Sequence, residues 1–165
     1  MNKRIKKKKK KQYNKKLCER YPFLIPYHRW FGNCMWENRK SRFYVSPYSY
    51  TELDAMPTGW RRAFGIQMCE EIREELIKFN YLYGYRILQI KEKYGELRWY
   101  DGGVPIDSKI YDIIDKYTKK SRHTCIQCGR PATKIARGWI SPYCDKCAEE
   151  LSKYPWDTFD DIKED

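Results

Sequence analysis

The chain lacks any apolar run approaching the roughly 18 residues that a membrane-spanning helix needs, which excludes a spanning helix. Histidine is nearly absent, with only His28 and His123. A His-Asn-His nuclease would need a catalytic histidine, a second histidine or asparagine and a metal-binding constellation, and neither histidine has that company. His123 lies two residues before Cys125 and reads as a neighbour of the cysteine motif, not as a base. Residues 1–16 contain no acid but hold ten of the 34 Lys/Arg, so that taking them from the net charge of +12 leaves +2 for residues 17–165. A globally basic domain is thereby excluded, and the attraction to polyanions is confined to one segment. No apolar stretch follows the basic start, where Leu17 gives way to Cys18-Glu19-Arg20. A secretory signal is therefore not expected, and the expected compartment is cytoplasmic.

Cysteine, by contrast, is placed with a pattern. Cys125/Cys128 and Cys144/Cys147 form two Cys-x-x-Cys pairs separated by the fifteen residues 129–143. Two intervening residues let both sulfurs of a pair converge on one metal, and the paired spacing reads as a four-thiolate zinc site. Gly129 frees the backbone after the first knuckle. Lys134 to Arg137, a reversal at Gly138 and a return through Trp139-Ile140 outline the hairpin of a zinc ribbon. The alternative, a pair of disulfides, needs an oxidising compartment that no secretion signal supports. Four thiolates fill the tetrahedron and leave no position for water or substrate, so the expected cofactor is one structural Zn2+. Cys18, His28, Cys34 and Cys69 could in principle form a second site, but their spacing fits no ligand template.

The expected fold is α+β: a small domain of two helices and a β-hairpin with an aromatic-rich N-terminal segment over 17–120, followed by a C-terminal zinc ribbon over 121–153. Residues 1–16, with the unbroken run Lys6, Lys7, Lys8, Lys9, Lys10, Lys11, cannot bury apolar area and are expected to be a disordered arm. Between 17 and 57, prolines at 22, 26 and 47 oppose a long helix, while Tyr21, Phe23, Tyr27, Trp30, Phe31, Trp36, Phe43, Tyr44, Tyr48 and Tyr50 supply core area. The same rings, interleaved with His28, Arg29, Arg39, Lys40 and Arg42, could instead stack on bases along a phosphate track. Core packing is the commoner use, and Glu37 to Arg42 is the expected exposed piece.

Trp60, Phe64, Met68, Ile72, Leu76 and Phe79 then recur near every fourth residue, predicting a helix through Asn80 with Thr58 as N-cap. Glu70, Glu71, Glu74 and Glu75 lie off that stripe and read as a solvated face. Tyr85 to Lys93 and Leu97 to Tyr100 flank Tyr94-Gly95-Glu96 as a hairpin closed by Asp101-Gly102-Gly103. Ser108 caps a second helix carrying Ile110, Ile113, Ile114 and Tyr117, and Asp145 to Lys153 forms a short helix. Trp60, Phe64, Ile90, Leu97 and Trp99 are expected to be buried. Residues 154–165 read as an acidic tail that could fold back on the basic arm or mimic phosphate, a frayed terminus being the commoner outcome.

The run Gln89-Ile90-Lys91-Glu92-Lys93-Tyr94-Gly95-Glu96-Leu97-Arg98-Trp99-Tyr100, an isoleucine-rich helix, then Thr124-Cys125-Ile126-Gln127-Cys128-Gly129, Gly138-Trp139 and Tyr143-Cys144-Asp145 resembles a family of small phage and prophage proteins, over roughly residues 50–150. Many of those proteins carry Cys-x-x-His at the second knuckle, where this chain has Cys147. The resemblance implies phage origin, a bacterial host cytoplasm and a role in overpowering host machinery, including anti-CRISPR inhibition; the lysine run lies outside it. The residues themselves favour a non-enzymatic binder of nucleic acid or of a host nucleoprotein complex, with no membrane partner. Lys6 to Lys11 and the ribbon's Arg130, Lys134, Arg137 and Trp139 are the expected contacts. A protein-interaction module without nucleic-acid binding is the second reading, and a nuclease the third.

Overall fold

The computed structural model describes residues 2–28, 32–153 and 158–162. Its fold is α+β, with small sheets and a C-terminal four-cysteine cluster. Lysine is a good helix former, and the stretch expected to be a disordered arm is instead part of a helix, α1 (Lys3–Arg20). Lysines four apart repel along such a helix, so tertiary anchors must hold it. Asn2 Oδ1 caps the first turn through Arg4 N at 3.0 Å. Lys10 Nζ pairs with Asp54 at 3.1 Å, and Lys11 Nζ donates to Ser46 Oγ at 2.8 Å. Asn14, buried, donates from Nδ2 to the Tyr48 carbonyl at 3.0 Å. Leu17 and Cys18 are buried, and Arg20 forms a two-pronged pair with Glu70 at 2.7 and 2.6 Å. Composition alone does not show that one end of the segment buries area and that its polar groups find fixed partners.

Two compact units are built from alternating segments of the chain. The first comprises Met1–Ala55, Glu70–Ile90 and Trp99–Ile110; the second comprises Met56–Cys69, Lys91–Arg98 and Tyr111–Asp165.

In the first unit, prolines do break the chain into short 3-10 turns, Pro22–Leu24 and Glu52–Ala55, joined by irregular segments. Phe23 and Leu24 are fully buried, and the Phe23 ring meets Tyr85 edge-on at 5.6 Å between centroids. Trp36 packs on Tyr48 at 4.7 Å and His28 on Phe43 at 4.3 Å, so these rings serve packing. Residues 37–40 are exposed, as expected. Arg29, Trp30 and Phe31 lie outside the described residues. The four glutamates expected on a solvated face divide. Glu75 is buried, its Oε1 accepting from Lys109 N at 2.9 Å, while Glu70 takes the Tyr21 hydroxyl at 2.7 Å as well as Arg20. Ser108, expected as the cap of the following helix, leaves its buried Oγ without a partner, and Glu75 serves the backbone there instead.

The predicted long helix is present as α2 (Thr58–Trp60), a π-turn (Arg61–Gly65) and α3 (Ile66–Lys78), with Pro57 at the N-cap position expected for Thr58. A four-residue repeat drifts by about 40° per step around a 3.6-residue helix, and the wider π-turn absorbs part of that drift. Trp60, Phe64, Met68, Ile72 and Leu76 are all buried, whereas Phe79 lies past the helix end and is exposed. β1 (Ile87–Lys93) and β2 (Glu96–Asp101) pair as the expected hairpin. Positive φ at Tyr94 (55°) and Gly95 (78°) makes the two-residue turn of the primed type that matches strand twist.

In the second unit, α4 (Ile110–Arg122) is locked to β2: Leu97 N donates to Ser121 Oγ at 2.8 Å and Thr118 Oγ1 to the Leu97 carbonyl at 3.2 Å. Phe64 lies 5.4 Å from Tyr117, and Leu97 is fully buried. β3 (Lys134–Ala136) and β4 (Pro142–Tyr143) form the ribbon hairpin in the register Lys134 with Tyr143 and Ile135 with Pro142. α5 (Asp145–Leu151) follows the second knuckle. The acidic C-terminal stretch contributes a strand not anticipated from sequence: β5 (Phe159–Asp161) pairs antiparallel with β3, giving the order β4-β3-β5. Residues 154–157 and 163–165 of that stretch lie outside the described residues. Among the described residues no helix is long and apolar enough to cross a membrane.

Candidate metal centre

A Cys-x-x-Cys knuckle works only if the backbone between its cysteines folds back far enough to aim both sulfurs at one point. Cys125 achieves this by donating N–H to the Arg130 carbonyl at 2.7 Å while its own carbonyl accepts from Gly129 N at 2.9 Å. Gly129 takes φ = 85°, where a side chain would be strained, and an added Cβ would meet the Gly59 carbonyl oxygen at 2.6 Å. Gly59 faces the same constraint from the other side, since its Cβ would lie 2.1 Å from the Cys125 carbonyl oxygen. These two glycines let α2 approach the first knuckle closely. Gly59 N donates to the Ile126 carbonyl at 2.8 Å, and Trp60 Nε1 to the Thr124 carbonyl at 2.8 Å.

The second knuckle is set by the ribbon hairpin and α5. Ile126 N donates to the Pro142 carbonyl at 2.9 Å and Thr133 N to the Tyr143 carbonyl at 2.9 Å, which brings Cys144 opposite Cys128. Cys144 occupies the N-cap position of α5, and Cys147 falls in its first turn. The four sulfurs of Cys125, Cys128, Cys144 and Cys147 all lie within 4.8 Å of one another, and Cys128 Sγ is 3.6 Å from Cys144 Sγ. A tetrahedral ion with metal–sulfur bonds of about 2.3 Å sets its sulfurs about 3.8 Å apart, so the spacing fits a metal and is far too long for a disulfide. All seven cysteines are free thiols. Three of the four are buried, with Cys128 the partly open one.

Burial pushes the Cys128 thiol up, but Arg130, whose Nε lies 3.5 Å from Sγ, outweighs it together with the Arg130 backbone and the neighbouring thiols, and brings Cys128 down to about 6. Cys147 is pushed up by burial and by hydrogen bonding to the other three thiols. Four sulfurs this close cannot all carry charge without a cation among them, and a divalent ion supplies it. Four thiolates complete a tetrahedron, so the arrangement suits holding a metal and stapling the ribbon.

The expected ribbon contacts fare differently. Lys134 pairs with Asp161 across β3 and β5, and Arg137 pairs with Asp160, Nε to Oδ2 at 2.7 Å. Both bases are held strongly charged by those carboxylates. Arg130 is turned to the Cys128 sulfur. Each of these three expected contacts thus has a partner within the ribbon, and in the β3–β5 pairing Lys134 stands in register with Asp161. Trp139 remains exposed. Lys6 to Lys11 are exposed along α1, with Lys10 and Lys11 engaged as described. Cys18, His28, Cys34 and Cys69 do not assemble a site: no second group of three converging ligands occurs among the described residues. Burial, then Asp54 and Cys34, push Cys18 up to about 12, which keeps it protonated. Sequence reasoning passed over Glu92, Lys93 and Tyr94 at the hairpin turn, because a turn between strands carries no signal that its side chains meet the ribbon loop. Compared with protein-family models, with curated proteins and with solved structures, the chain matches none.

Proposed function

We propose that the chain is a non-enzymatic nucleic-acid-binding protein in which one structural Zn2+ staples the ribbon and α1 supplies the phosphate contacts. The observation that carries this reading is α1 itself, an 18-residue helix whose residues 3–13 are exposed and hold eight Lys/Arg without an acid. Such a helix is about 27 Å long, and the major groove of B-DNA, about 12 Å wide, admits one. Phosphates between its lysines would relieve the repulsion that the tertiary anchors otherwise oppose. A membrane-surface role would require an apolar face, whereas Ile5 and Tyr13 are the only large apolar residues between Met1 and Leu17. Zinc is assigned from the donor set, since four thiolates in tetrahedral spacing are its structural signature, and the closed set supports a non-catalytic role.

The test is salt dependence. Lys6, Lys7, Lys8 and Lys9 changed together to Gln keep a helix-forming side chain and remove four charges. The log–log salt slope of duplex binding, read by fluorescence anisotropy, should flatten by about 3.6. Equal slopes for the two proteins would overturn the assignment of α1. The resemblance to phage proteins adds the setting, a bacterial cytoplasm with host nucleoprotein complexes, those of CRISPR defence included, as the target class. Pull-down from host lysate with the wild-type and Gln-substituted chains tests that part.

A further inference from the structure

Within the second unit, the Tyr94–Gly95 turn and the loop 138–140 enclose a cleft of about 370 Å³, lined by Lys91, Lys93, Tyr94, Trp139 and Ile140 among others. That volume lies in the range of small-ligand sites. Trp139 is 76% exposed and Tyr94 68%, so two large rings that composition would place in a core stand in solvent on the lining of one cleft with two lysines. Glu92 explains how they are held. Its Oε2 accepts from Trp139 Nε1 at 2.9 Å, and its Oε1 from Gly95 N at 2.7 Å. One carboxylate thereby fixes the indole to the turn that carries Tyr94, and Lys93 Nζ lies 5.1 Å from the Tyr94 ring centroid.

Two consequences narrow the ligand. The indole N–H is committed to Glu92, so Trp139 offers its ring surface and no donor. Both Glu92 oxygens are engaged by neutral donors, and with Lys91 and Lys93 beside its charge the lining is formally +1. A proline-rich peptide presents carbonyl acceptors and docks on aromatic grooves that meet them with donors, the function the indole N–H has given up. An unpaired base needs only a ring face, and the phosphate joined to it needs a cation.

We propose that this cleft is a stacking site for unpaired bases of single-stranded nucleic acid, with Trp139 and Tyr94 as the platform and Lys93 toward the backbone phosphates. The site rests on the nucleic-acid reading above but uses a different element and a different strand state from α1.

The experiment compares the full-length, metal-replete chain with Trp139→Ala, Trp139→Phe and the Lys6–Lys9→Gln variant. The probes are a labelled short oligothymidine, an abasic oligonucleotide of the same length and a duplex. Stacking predicts that Trp139→Ala weakens oligothymidine binding by roughly 5- to 100-fold, leaves abasic and duplex binding within about twofold, and is partly rescued by Trp139→Phe. An unchanged affinity for oligothymidine, or an equal loss on the abasic strand, would overturn the site. So would a proline-rich peptide whose binding depends on Trp139 while the oligothymidine's does not. The Gln variant keeps the two readings separate: if its duplex affinity is unchanged, the α1 reading falls while the Trp139 difference between oligothymidine and abasic strand stands.

Discussion

Gly59→Ala sets two physical effects of opposite sign against each other at one atom. In a helix without tertiary contact, alanine for glycine is stabilising by about 1 kcal/mol. Here the new Cβ would sit 2.1 Å from the Cys125 carbonyl oxygen and 2.6 Å from both the carbonyl carbon and oxygen of Ile126, all backbone atoms that no rotamer change can clear. The knuckle must retreat by about 1 Å or more to restore ordinary contact. That retreat breaks the Gly59 N to Ile126 carbonyl bond and the Trp60 Nε1 to Thr124 carbonyl bond, both 2.8 Å, the second of them buried. A buried group left unpaired costs about 1–3 kcal/mol, and overpacking adds a similar amount, so a net loss of about 1–5 kcal/mol follows after the helix-propensity gain. Against a total stability of about 5–15 kcal/mol, the variant should melt well below wild type by circular dichroism with metal in excess. Gly138→Ala, whose Cβ meets nothing within 4 Å, is the matched control and should melt within a few degrees of wild type. A raised or unchanged melting temperature for Gly59→Ala would refute the close approach of α2 to the knuckle.

Phe64→Ala removes a ring that is 1% exposed and should cost about 3–5 kcal/mol by chemical denaturation; an unchanged midpoint would mean the stripe is not packed. Asp160→Asn with Asp161→Asn frees the exposed Arg137 and the half-buried Lys134. Melting should change little, whereas duplex binding should gain a salt slope steeper by up to about 2, and an unchanged slope would remove these bases from the interface. Glu70 is held below the usual carboxylate range chiefly by its hydrogen bond to Arg20 and also by Tyr21, against the effect of burial. Its contribution is therefore present above the unfolded carboxylate value, about 4.3, and is lost as pH falls through the folded value. The melting gap between wild type and Glu70→Gln should be open at neutral pH and narrow progressively as pH falls below the ordinary carboxylate value; a gap independent of pH would contradict the pairing.

The elements whose side chains repeat were legible in sequence: the Trp60–Leu76 stripe, the β1–β2 hairpin with its Tyr94-Gly95 turn, and the four cysteines, whose spacing alone brings the sulfurs together. Local pattern failed where a partner distant in the chain decided the outcome. The lysine segment is helical because Asn14, Leu17 and Arg20 find partners that composition does not reveal. The Phe159–Asp161 strand is too short to announce itself and is specified by β3, whose Lys134 its Asp161 meets in register. The same stretch gives Lys134 and Arg137 carboxylate partners that the ribbon sequence by itself does not reveal. Trp139 stayed open because its one polar atom is satisfied by Glu92, 47 residues away.

Metal content by native mass spectrometry tests the central claim most directly, because the ribbon is argued to be a thiolate-held metal fold with Cys125, Cys128, Cys144 and Cys147 as its four ligands. The wild-type chain should carry one zinc, the chain with Cys18, Cys34 and Cys69 changed together to Ser should keep it, and Cys144→Ser should lose it along with the native melting transition of the ribbon. Full zinc retention in Cys144→Ser, or a folded wild-type chain that binds no zinc, would contradict the account.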